Sequence, residues 1–387
     1  MTDPDLIRQT LDDLEGQGLR RRLVEVGSAA GPHIKVGGRT VLAFASNNYL
    51  GLASDPRVCE AAKRAIDRWG WGAGASRLVS GHTEAHAALE ADLANFKHAE
   101  AAVVFPTGYM ANLGLVSALA GRGDVVVSDR ENHASLYDAI RLSGARLGRY
   151  RHGDAAAASG MLDKHRGMPG RRFLVTDTVF SMGGDLAPLE ALVPAHADGA
   201  LVIVDEAHAT GVFGPTGAGL AEALGIHDGI TASVGTLSKA LGGIGGFVAA
   251  SREVCELLVN RARPFIYTTA LPAAACEAAR EALRIAQAEP ERRERVLRLA
   301  GSLRAALQSR GFDVGRSASQ IVPVIVGEPA RAVAMAAALM ERGIFCPAMR
   351  PPTVPRGTSR LRISLTSEHT EDDTARLVEA LAQARDI

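Results

Sequence analysis

The stretch ALVIVDEAH, residues 200–208, is an apolar run that ends in polar side chains. Four similar runs occur elsewhere in the chain, each ending in polar residues: AAVVFPTG (101–108), DVVVSD (124–129), FLVTDTVFS (173–181) and ITASVGTLSK (230–239). Helix-like segments lie between them, such as residues 83–98 and 186–198. Strands that are apolar on both faces and alternate with helices are typical of a mostly parallel sheet covered by helices on both sides. The sequence therefore predicts an α/β fold with a central sheet of this kind.

Polar residues cluster where the predicted strands end. In α/β sheets, ligands bind beside the carboxyl ends of the strands. The residues at or just beyond these ends are Ser128, Asp129, Ser181, Asp205, His208, Thr236, Ser238 and Lys239. We therefore expect the functional site to form among these side chains.

A change of pattern after residue 272 indicates a second domain. Residues 272–310 are helix-like and rich in Ala, Arg and Glu, and a new alternation of strand and helix begins at IVPVIVGEP (321–329). The expected organisation is an N-terminal helical arm (1–45), a large domain (46–285) and a smaller α+β domain (286–387). A chain of 387 residues is long enough to bury the cores of two domains.

The charge and composition of the chain favour a small-molecule partner. The 43 basic and 43 acidic residues cancel, and no block of like charge suggests a nucleic-acid or anionic-membrane surface. The four cysteines are scattered without metal-ligand spacing, which favours unpaired thiols in a reducing compartment. No apolar run approaches the roughly 20 residues that span a bilayer, and the N-terminus has no apolar signal region. We expect a cytoplasmic protein that binds neither nucleic acid nor membrane.

Lys239 is an unusual choice of residue within VGTLSKALGGIGG (234–246), because the chain has 38 arginines and only five lysines. A lysine that is partly desolvated among small residues is a usable amine nucleophile, and amine nucleophiles form Schiff bases. Asp205, at the end of a buried strand, needs a hydrogen-bonding or cationic partner because an isolated buried carboxylate is costly. Pyridoxal phosphate meets both needs, since it carries an aldehyde for Lys239 and a ring nitrogen whose protonated form pairs with Asp205.

The remaining parts of that cofactor also find candidate partners. PTGYMANLG (106–114) contains a glycine turn that opens a helix, where free backbone N–H groups and the helix dipole favour a phosphate. His133 follows the run DVVVSD, where an imidazole can stack on the ring. A metal site is not expected: His82 and His86 are four residues apart, but their order HTEAH differs from the zinc motif HExxH and no third ligand suggests itself.

Nine stretches of the chain together resemble a known family. They are ASNNYLGL (45–52), GAGASRLVSG (72–81), PTGYMAN (106–112), NHASLYD (132–138), VFSMGGD (179–185), VDEAHATGVFG (204–214), TLSKALGGIGG (236–246), FIYTTALPA (265–273) and RPPTVPRGTSRLRISLTSEHT (350–370). The family is that of the α-oxoamine synthases, a subfamily of the fold-type-I pyridoxal-phosphate enzymes. The resemblance implies a transferase of that fold that forms a homodimer with its active site at the subunit interface.

The stretch RPPTVPRGTSRLR (350–362) is similar to the branch of the family that serves biotin synthesis. That branch joins L-alanine to a pimeloyl thioester, carried on coenzyme A or on acyl carrier protein, and releases carbon dioxide. Two alternatives stay open. One is another condensing enzyme of the family, such as a glycine C-acetyltransferase or a 5-aminolevulinate synthase, and the other is a catalytically silent member that serves as a dimerisation partner.

The resemblance implies a role for each residue that contacts the cofactor ring. Lys239 would form the Schiff base, and Asp205 would pair with the pyridine nitrogen. His208 would hydrogen-bond the phenolic oxygen with help from Ser181, and His133 would stack on the ring.

The resemblance also implies which residues hold the cofactor phosphate. The backbone amides of Gly108 and Tyr109 would bind it together with the hydroxyl of Thr236. Thr268 or Thr269 would reach the phosphate of a partner subunit.

Substrate contacts are implied in the same way. Asn47 and Arg362 would hold the amino-acid carboxylate, a bidentate role for which arginine is better suited than lysine. Arg20, the first arginine of LRRR, and Thr353 would contact the acyl substrate, and His133 would hydrogen-bond its carbonyl group.

Three residues depart from the family pattern. Asn48 and Gly183 stand where aspartate is usual, and Asp177 stands where glutamate is commoner. None of these changes removes a group that bonds the cofactor, but they alter the surroundings of Asn47 and Ser181.

Overall fold

A computed structural model describes residues 4–385 of the chain. These residues form two compact units. The larger unit consists of Asn47–Ser181 and Leu186–Arg295. The smaller unit consists of the described residues before Asn47, of Met182–Asp185 and of the described residues from Val296 onward. The domain boundaries expected at residues 45 and 285 stay a prediction about independent folding units.

Strands and helices are numbered along the chain. The strands are β1 His33–Val36, β2 Arg39–Ala43, β3 Ala101–Phe105, β4 Val125–Asp129, β5 Arg146–Tyr150, β6 Arg172–Asp177, β7 Leu201–Asp205, β8 Ala232–Thr236, β9 Gly246–Ala250, β10 Ile321–Gly327, β11 Ile344–Phe345, β12 Ala348–Met349 and β13 Ser359–Ser364. The α-helices are α1 Pro4–Gly16, α2 Pro56–Trp69, α3 Glu84–Phe96, α4 Gly108–Leu119, α5 Ala134–Ser143, α6 Ala155–Asp163, α7 Leu189–Leu192, α8 Leu220–Leu224, α9 Arg252–Arg261, α10 Arg263–Ile266, α11 Ala273–Ala288, α12 Pro290–Ser309, α13 Pro329–Glu341 and α14 Glu371–Gln383.

The larger unit is built on a seven-stranded sheet with strand order β3-β9-β8-β7-β6-β4-β5. Strands β4 to β8 pair in parallel, and β9 pairs antiparallel with both β8 and β3. The predicted mostly parallel sheet is therefore confirmed. Strands β5 and β9 were not predicted, because β5 is an edge strand interrupted by Arg146 and Arg149 and β9 is a short run of five residues directly after glycines.

Alternate residues of the central strands enter two separate apolar cores. Val126 of β4 belongs to the core that includes Leu115 of α4, whereas its neighbour Val127 belongs to the core that includes Leu162 of α6. This follows from strand geometry, because successive side chains point to opposite faces of a sheet. Burying each such side chain contributes about 1.5–3 kcal/mol, so helices cover both faces and the functional groups are left at the strand ends.

The smaller unit contains two three-stranded sheets, ordered β1-β2-β11 and β10-β13-β12. Strand β13 pairs antiparallel with β10 and with β12, and β11 pairs parallel with β2. Helix α14 begins with a capping box between Thr370 and Asp373, and it buries Leu377 and Leu381. The cap satisfies backbone N–H groups that the first turn leaves unbonded, so the C-terminal helix starts at a defined residue.

Candidate active site

A cavity of about 200 Å³ lies at the carboxyl ends of β6, β7 and β8 in the larger unit. Eight of the predicted site residues line it: Gly108, Tyr109, His133, Asp205, His208, Thr236, Ser238 and Lys239. The sheet rule used on the sequence therefore located this cavity, because its walls are strand ends and the loops that follow them.

Asp205 is the last residue of β7, and its carboxylate is buried. The backbone N–H of Ala207 donates to its Oδ1 at 2.8 Å, and Nδ2 of Asn112 donates to its Oδ2 at 2.6 Å. Two hydrogen bonds to the charged form stabilise a carboxylate away from water. Asn112, on the first turns of α4, was not predicted as a site residue.

Asp177 lies beside Asp205, since β6 and β7 pair these two residues in register. Burial raises the pKa of the Asp177 carboxyl well above its usual range, the charge of Asp205 raises it further, and Lys239 lowers it. Its Oδ2 accepts a hydrogen bond from the backbone N–H of His133 at 3.1 Å, whereas its buried Oδ1 has no hydrogen-bond partner among the described residues. The cavity therefore contains a carboxyl oxygen to which a ligand can hydrogen-bond.

Another wall of the cavity is formed by the start of helix α4. Thr107 caps this helix, and its hydroxyl accepts from the N–H of Met110 at 3.1 Å. The N–H groups of Gly108 and Tyr109 lie in the first turn, where a helix supplies them with no acceptor. A Cβ at Gly246 would lie 2.5 Å from the backbone nitrogen of Gly108, so only glycine lets these two backbone segments approach. Free N–H groups at a helix start form a ready anion site.

Lys239 lies in the loop that connects β8 to β9, and its side chain is half-buried. The loop turns at Gly242, which has a φ of 68° and donates its N–H to the Lys239 carbonyl at 2.9 Å. A Cβ at Gly242 would lie 2.3 Å from the backbone nitrogen of Ala53, so a side chain there is excluded as well. Gly242 therefore lets the loop pack closely against Ala53, which holds Lys239 at the cavity.

Thr236 and Ser238 flank the cavity before Lys239. The Thr236 hydroxyl donates to the carbonyl of Gly245 at 2.8 Å and lies 2.7 Å from the hydroxyl of Ser238. Because the Thr236 proton is used within the loop, Ser238 is the donor in the second bond. Both oxygens therefore lie next to the start of α4, where a Cβ on Gly108 would be 3.3 Å from Thr236 Oγ1.

His208 is oriented by a residue to which the sequence interpretation gave no role. Its Nδ1 lies 2.7 Å from the hydroxyl of Tyr49, which donates to Oδ1 of Asn47 at 3.0 Å. The Tyr49 hydroxyl has only one proton, so it accepts from Nδ1–H of His208. Tyr49, which is fully buried, thus connects two predicted site residues. Tyr49 is part of the motif ASNNYLGL, but nothing in the sequence distinguishes it from an ordinary core tyrosine.

Ser181 ends the first segment of the larger unit, and a β-bridge between Val179 and Leu186 closes the turn that follows it. Ser181 is half-buried and does not line the cavity described above. In that turn, a Cβ on Gly183 would lie 2.2 Å from Oδ1 of Asp185, so the position of Asp185 accounts for glycine where the family has aspartate.

Three of the predicted substrate-contact residues belong to the smaller unit. Arg20 forms an ion pair with Glu15 at 3.4 Å, and the hydrogen bond to the Thr353 hydroxyl, at 3.2 Å, comes from Arg21. Arg362 is buried on β13, where its Nη1 donates to the Ser364 hydroxyl at 2.7 Å. Within this unit, the arm and the loop after β12 are therefore joined through Arg21 and Thr353.

The two histidines that were considered as metal ligands contact other groups. His86 is buried, completes the cap of α3 through Nδ1 and bonds the Leu271 carbonyl through Nε2 at 3.0 Å. His82 lies against Arg77, with 2.8 Å between Nδ1 and Nη2. Within residues 4–385 we find no group of three or more His, Cys, Asp or Glu side chains arranged to hold a metal ion.

A family model for aminotransferase class I and II matches residues 39–381. The chain belongs to the aminotransferase class I and II family. Among its described helices, none combines the length and the apolar character needed to cross a membrane.

Individual relatives within this family show which of its members the chain is similar to. The 8-amino-7-oxononanoate synthase of Anaeromyxobacter dehalogenans is 52% identical to this chain and covers 98% of it and 95% of its own length. The protein of the same name from Geobacter sulfurreducens is 51% identical, with 96% of each chain covered. A solved serine palmitoyltransferase from S. paucimobilis with a bound PLP–myriocin aldimine has a TM-score of 0.93 at 33% identity, over 99% of this chain and 97% of that chain. The predicted resemblance and fold class are confirmed.

Proposed function

We propose that this chain catalyses the decarboxylative condensation of L-alanine with a pimeloyl thioester, giving 8-amino-7-oxononanoate, carbon dioxide and the free thiol carrier in biotin synthesis. The observation that carries the proposal is 52% identity, over 98% of the chain, to a relative named for that product. The cavity that unites Lys239, Asp205 and His133 supports it, because these groups are the ones that the reaction needs.

The predicted cofactor, pyridoxal 5′-phosphate, is confirmed by the family and by the PLP-bound structural neighbour. The cavity fits this group on its own evidence: a buried carboxylate, an unbonded acceptor on Asp177, and a helix start that a side chain at Gly246 would fill. In this proposal Lys239 joins the aldehyde, Asp205 pairs with the ring nitrogen, and the N–H groups of Gly108 and Tyr109 bind the phosphate.

Other residues complete the cofactor contacts in this proposal. His133 stacks on the ring, and His208 and Ser181 bind the phenolic oxygen. Thr236 turns its hydroxyl proton from the Gly245 carbonyl to the phosphate when the cofactor binds. His208 donates from Nδ1 to Tyr49, which leaves Nε2 as its other hydrogen-bonding atom. Tyr49 therefore sets the orientation and the tautomer of the His208 ring.

When bound, the cofactor withdraws electrons from the carbon next to the substrate amino group. Lys239 Nζ takes the proton from that carbon of alanine, a transfer that typically contributes about 10²–10⁴-fold to the rate. The Asp205 carboxylate accepts a hydrogen bond from the protonated ring nitrogen. His133 donates a hydrogen bond to the thioester carbonyl oxygen while the carbon–carbon bond forms, and the thiol and carbon dioxide then leave.

Substrate contacts are assigned to four residues that do not line the cavity described above. We assign the alanine carboxylate to Asn47 and Arg362 and the acyl chain to Arg20 and Thr353. The hydrogen bond from Arg362 to Ser364 limits the rotation of the guanidinium group and so preorganises it for bidentate binding.

We further propose a cytoplasmic homodimer in which Thr268 or Thr269 reaches the partner's phosphate. The segment before these residues carries Tyr267, which is 71% exposed, and a β-bridge joins Thr269 to Ser76 near Val79, which is 81% exposed. Large apolar side chains exposed together mark an interaction surface. Sedimentation of the wild-type chain and of Val79→Asp tests this, and a wild-type mass of one chain would contradict it.

The test of the proposed reaction is to incubate the full-length protein with L-alanine and pimeloyl-CoA or pimeloyl acyl carrier protein and to weigh the product. Glycine and serine, each with acetyl-, succinyl- and palmitoyl-CoA, serve as competing substrates. Lys239→Ala should abolish both turnover and the visible absorbance of bound cofactor, whereas Lys164→Ala, at an exposed lysine, should change neither.

Each outcome separates the alternatives. Product from glycine or serine with another thioester, and none from alanine, would place the chain in another branch of the family. Cofactor absorbance without any turnover would favour the silent dimerisation partner, and absence of cofactor absorbance would overturn the assignment of Lys239.

A further inference from the structure

Three hydrogen bonds connect Asp205 to His133 through two side chains that were not predicted. Asn112 Nδ2 lies 2.6 Å from Asp205 Oδ2 and 2.9 Å from Ser135 Oγ. Ser135 Oγ in turn lies 2.7 Å from Nδ1 of His133. Asn112 is 2% exposed and Ser135 is fully buried, so water does not compete for these bonds.

Counting protons gives each bond a direction. The Asn112 amide nitrogen has two protons, and it donates one to the Asp205 carboxylate and the other to Ser135 Oγ. Because Ser135 Oγ accepts there, its own proton is available for Nδ1 of His133. These three bonds, here called the relay, therefore diverge from Asn112: one is donated to the Asp205 carboxylate, and the other leads through Ser135 to Nδ1 of His133.

A second donor points at the same nitrogen. His133 is the N-cap residue of α5, and its Nδ1 accepts from the backbone N–H of Ser135 at 3.3 Å. An atom that accepts from two donors cannot carry a proton itself. The ring is therefore neutral with its proton on Nε2, and no described residue is hydrogen-bonded to Nε2.

We propose that Asn112 and Ser135 are positioning residues that hold His133 neutral, with Nε2–H presented to the cavity as a donor for the carbonyl group of the substrate. The substrate part rests on the proposed function, whereas the relay itself rests on the hydrogen bonds. The same relay fixes the carboxylate that faces the cofactor ring, so one buried network orients both groups. Removing the Ser135 hydroxyl would weaken the hold on Nδ1 of His133 directly, and removing Asn112 would weaken it through Ser135.

The charges around His133 agree with a neutral ring. Loss of hydration lowers the pKa of His133, and Lys239 lowers it further, while Asp205 and Asp138 raise it. Asp177 also faces this residue, but it accepts the backbone N–H of His133 and not a ring proton. A hydrogen bond donated to Nδ1 stabilises the neutral form, so its loss should raise the pKa of His133.

The test is the titration and tautomer of His133 in the full-length protein. Histidine labelled with ¹⁵N reports which ring nitrogen carries the proton, and His133→Gln assigns the signal. In the wild type we expect the proton on Nε2 at neutral pH. In Ser135→Ala we expect the pKa to rise by about 0.5–1 unit, since one hydrogen bond to the neutral form is lost. Ser143→Ala, which removes a hydroxyl from the other end of α5, should leave the titration unchanged.

Asn112→Leu provides an independent variant, and it should raise the pKa of His133 by less than Ser135→Ala does, because the backbone and Ser135 donors remain. A protonated Nδ1 in the wild type would overturn the proposal, and so would a Ser135→Ala titration that coincides with the wild type. These measurements need no substrate. A shifted titration in a protein that does not condense alanine would keep the relay and reject the proposed reaction.

Discussion

Replacing Lys97 by methionine tests whether the larger unit depends on one buried ion pair. Nζ of Lys97 lies 2.6 Å from Oε2 of Glu206, with the two side chains only 2% and 3% exposed. The ammonium group also donates to the hydroxyl of Thr210, at 3.3 Å, and to the carbonyl of Ala218. Methionine keeps the length and apolar volume of the lysine stem but supplies none of these donors.

The loss in free energy of unfolding can be judged from the hydrogen bonds that Glu206 keeps after the substitution. Glu206 would keep two donors, the N–H of Ala221 at 3.0 Å and the hydroxyl of Ser233 at 3.2 Å, but would lose its counterion. Breaking a buried pair by removing one partner typically costs about 3–5 kcal/mol, because an uncompensated charge stays away from water. With two donors remaining, we expect about 3 kcal/mol for Lys97→Met.

Urea unfolding at neutral pH measures this effect, and intrinsic fluorescence reports the relevant unit because both tryptophans, Trp69 and Trp71, belong to it. Glu206→Gln is the matched single variant, and the double variant should lose less free energy of unfolding than the two single losses together. Strict additivity, or a loss below about 1 kcal/mol for Lys97→Met, would refute the reasoning, since that range describes exposed pairs.

Three further predictions concern the site and the smaller unit. Gly246→Ala should lower the affinity for pyridoxal phosphate at least tenfold in a fluorescence titration, because its Cβ would lie 2.5 Å from the backbone nitrogen of Gly108; an unchanged affinity would contradict the anion site at α4. Burial lowers the pKa of His369 to about 4, below its ordinary value of about 6.5, so the unfolded chain binds the extra proton in between. The free energy of unfolding should therefore fall as pH drops from about 6.5 to 4, by at most about 1.4 kcal/mol per pH unit for this residue, and His369→Gln should flatten the slope seen in urea unfolding. Tyr49→Phe should lower kcat of the proposed reaction about tenfold with little change in thermal stability, because it removes the acceptor that orients His208; full activity would reject that role.

The fold could be predicted because the burial of its strands leaves a recognisable pattern of apolar residues in the sequence. A strand that is covered on both faces, such as β7, reads as a continuous apolar run, and polar residues begin where it leaves the sheet. Strand β5 shows the limit of this signal: it lies at the edge, its residues are mostly exposed or half-buried, and Arg146 and Arg149 interrupt the run. Nothing local distinguishes such a strand from a loop.

Asp205 and Lys239 have a property that Asn112, Ser135 and Tyr49 lack. Asp205 ends β7 and Lys239 lies in the loop that follows β8, so the sheet brings them together whatever the intervening helices do. Asn112 and Ser135 lie on α4 and α5 instead, and their contact depends on how these two helices pack. The sequence does not show which atom a buried helical asparagine bonds. These positioning residues can therefore be identified only once the helix packing is known.

Lysine is rare in this chain, and its use indicates a position that requires an amine. The reason for that requirement differs between two of the lysines. Lys97 and Lys239 are two of only five lysines, and both lie in the larger unit, one buried and the other half-buried. At position 97 the compact ammonium serves three acceptors around one point, which the planar fork of arginine cannot do in the same space. At position 239 the reason is chemical, since only an amine can form a Schiff base. Context separates the two: Lys97 ends a helix beside a single carboxylate, whereas Lys239 follows a strand in a loop of glycines and hydroxyl residues beside two carboxylates and a cavity.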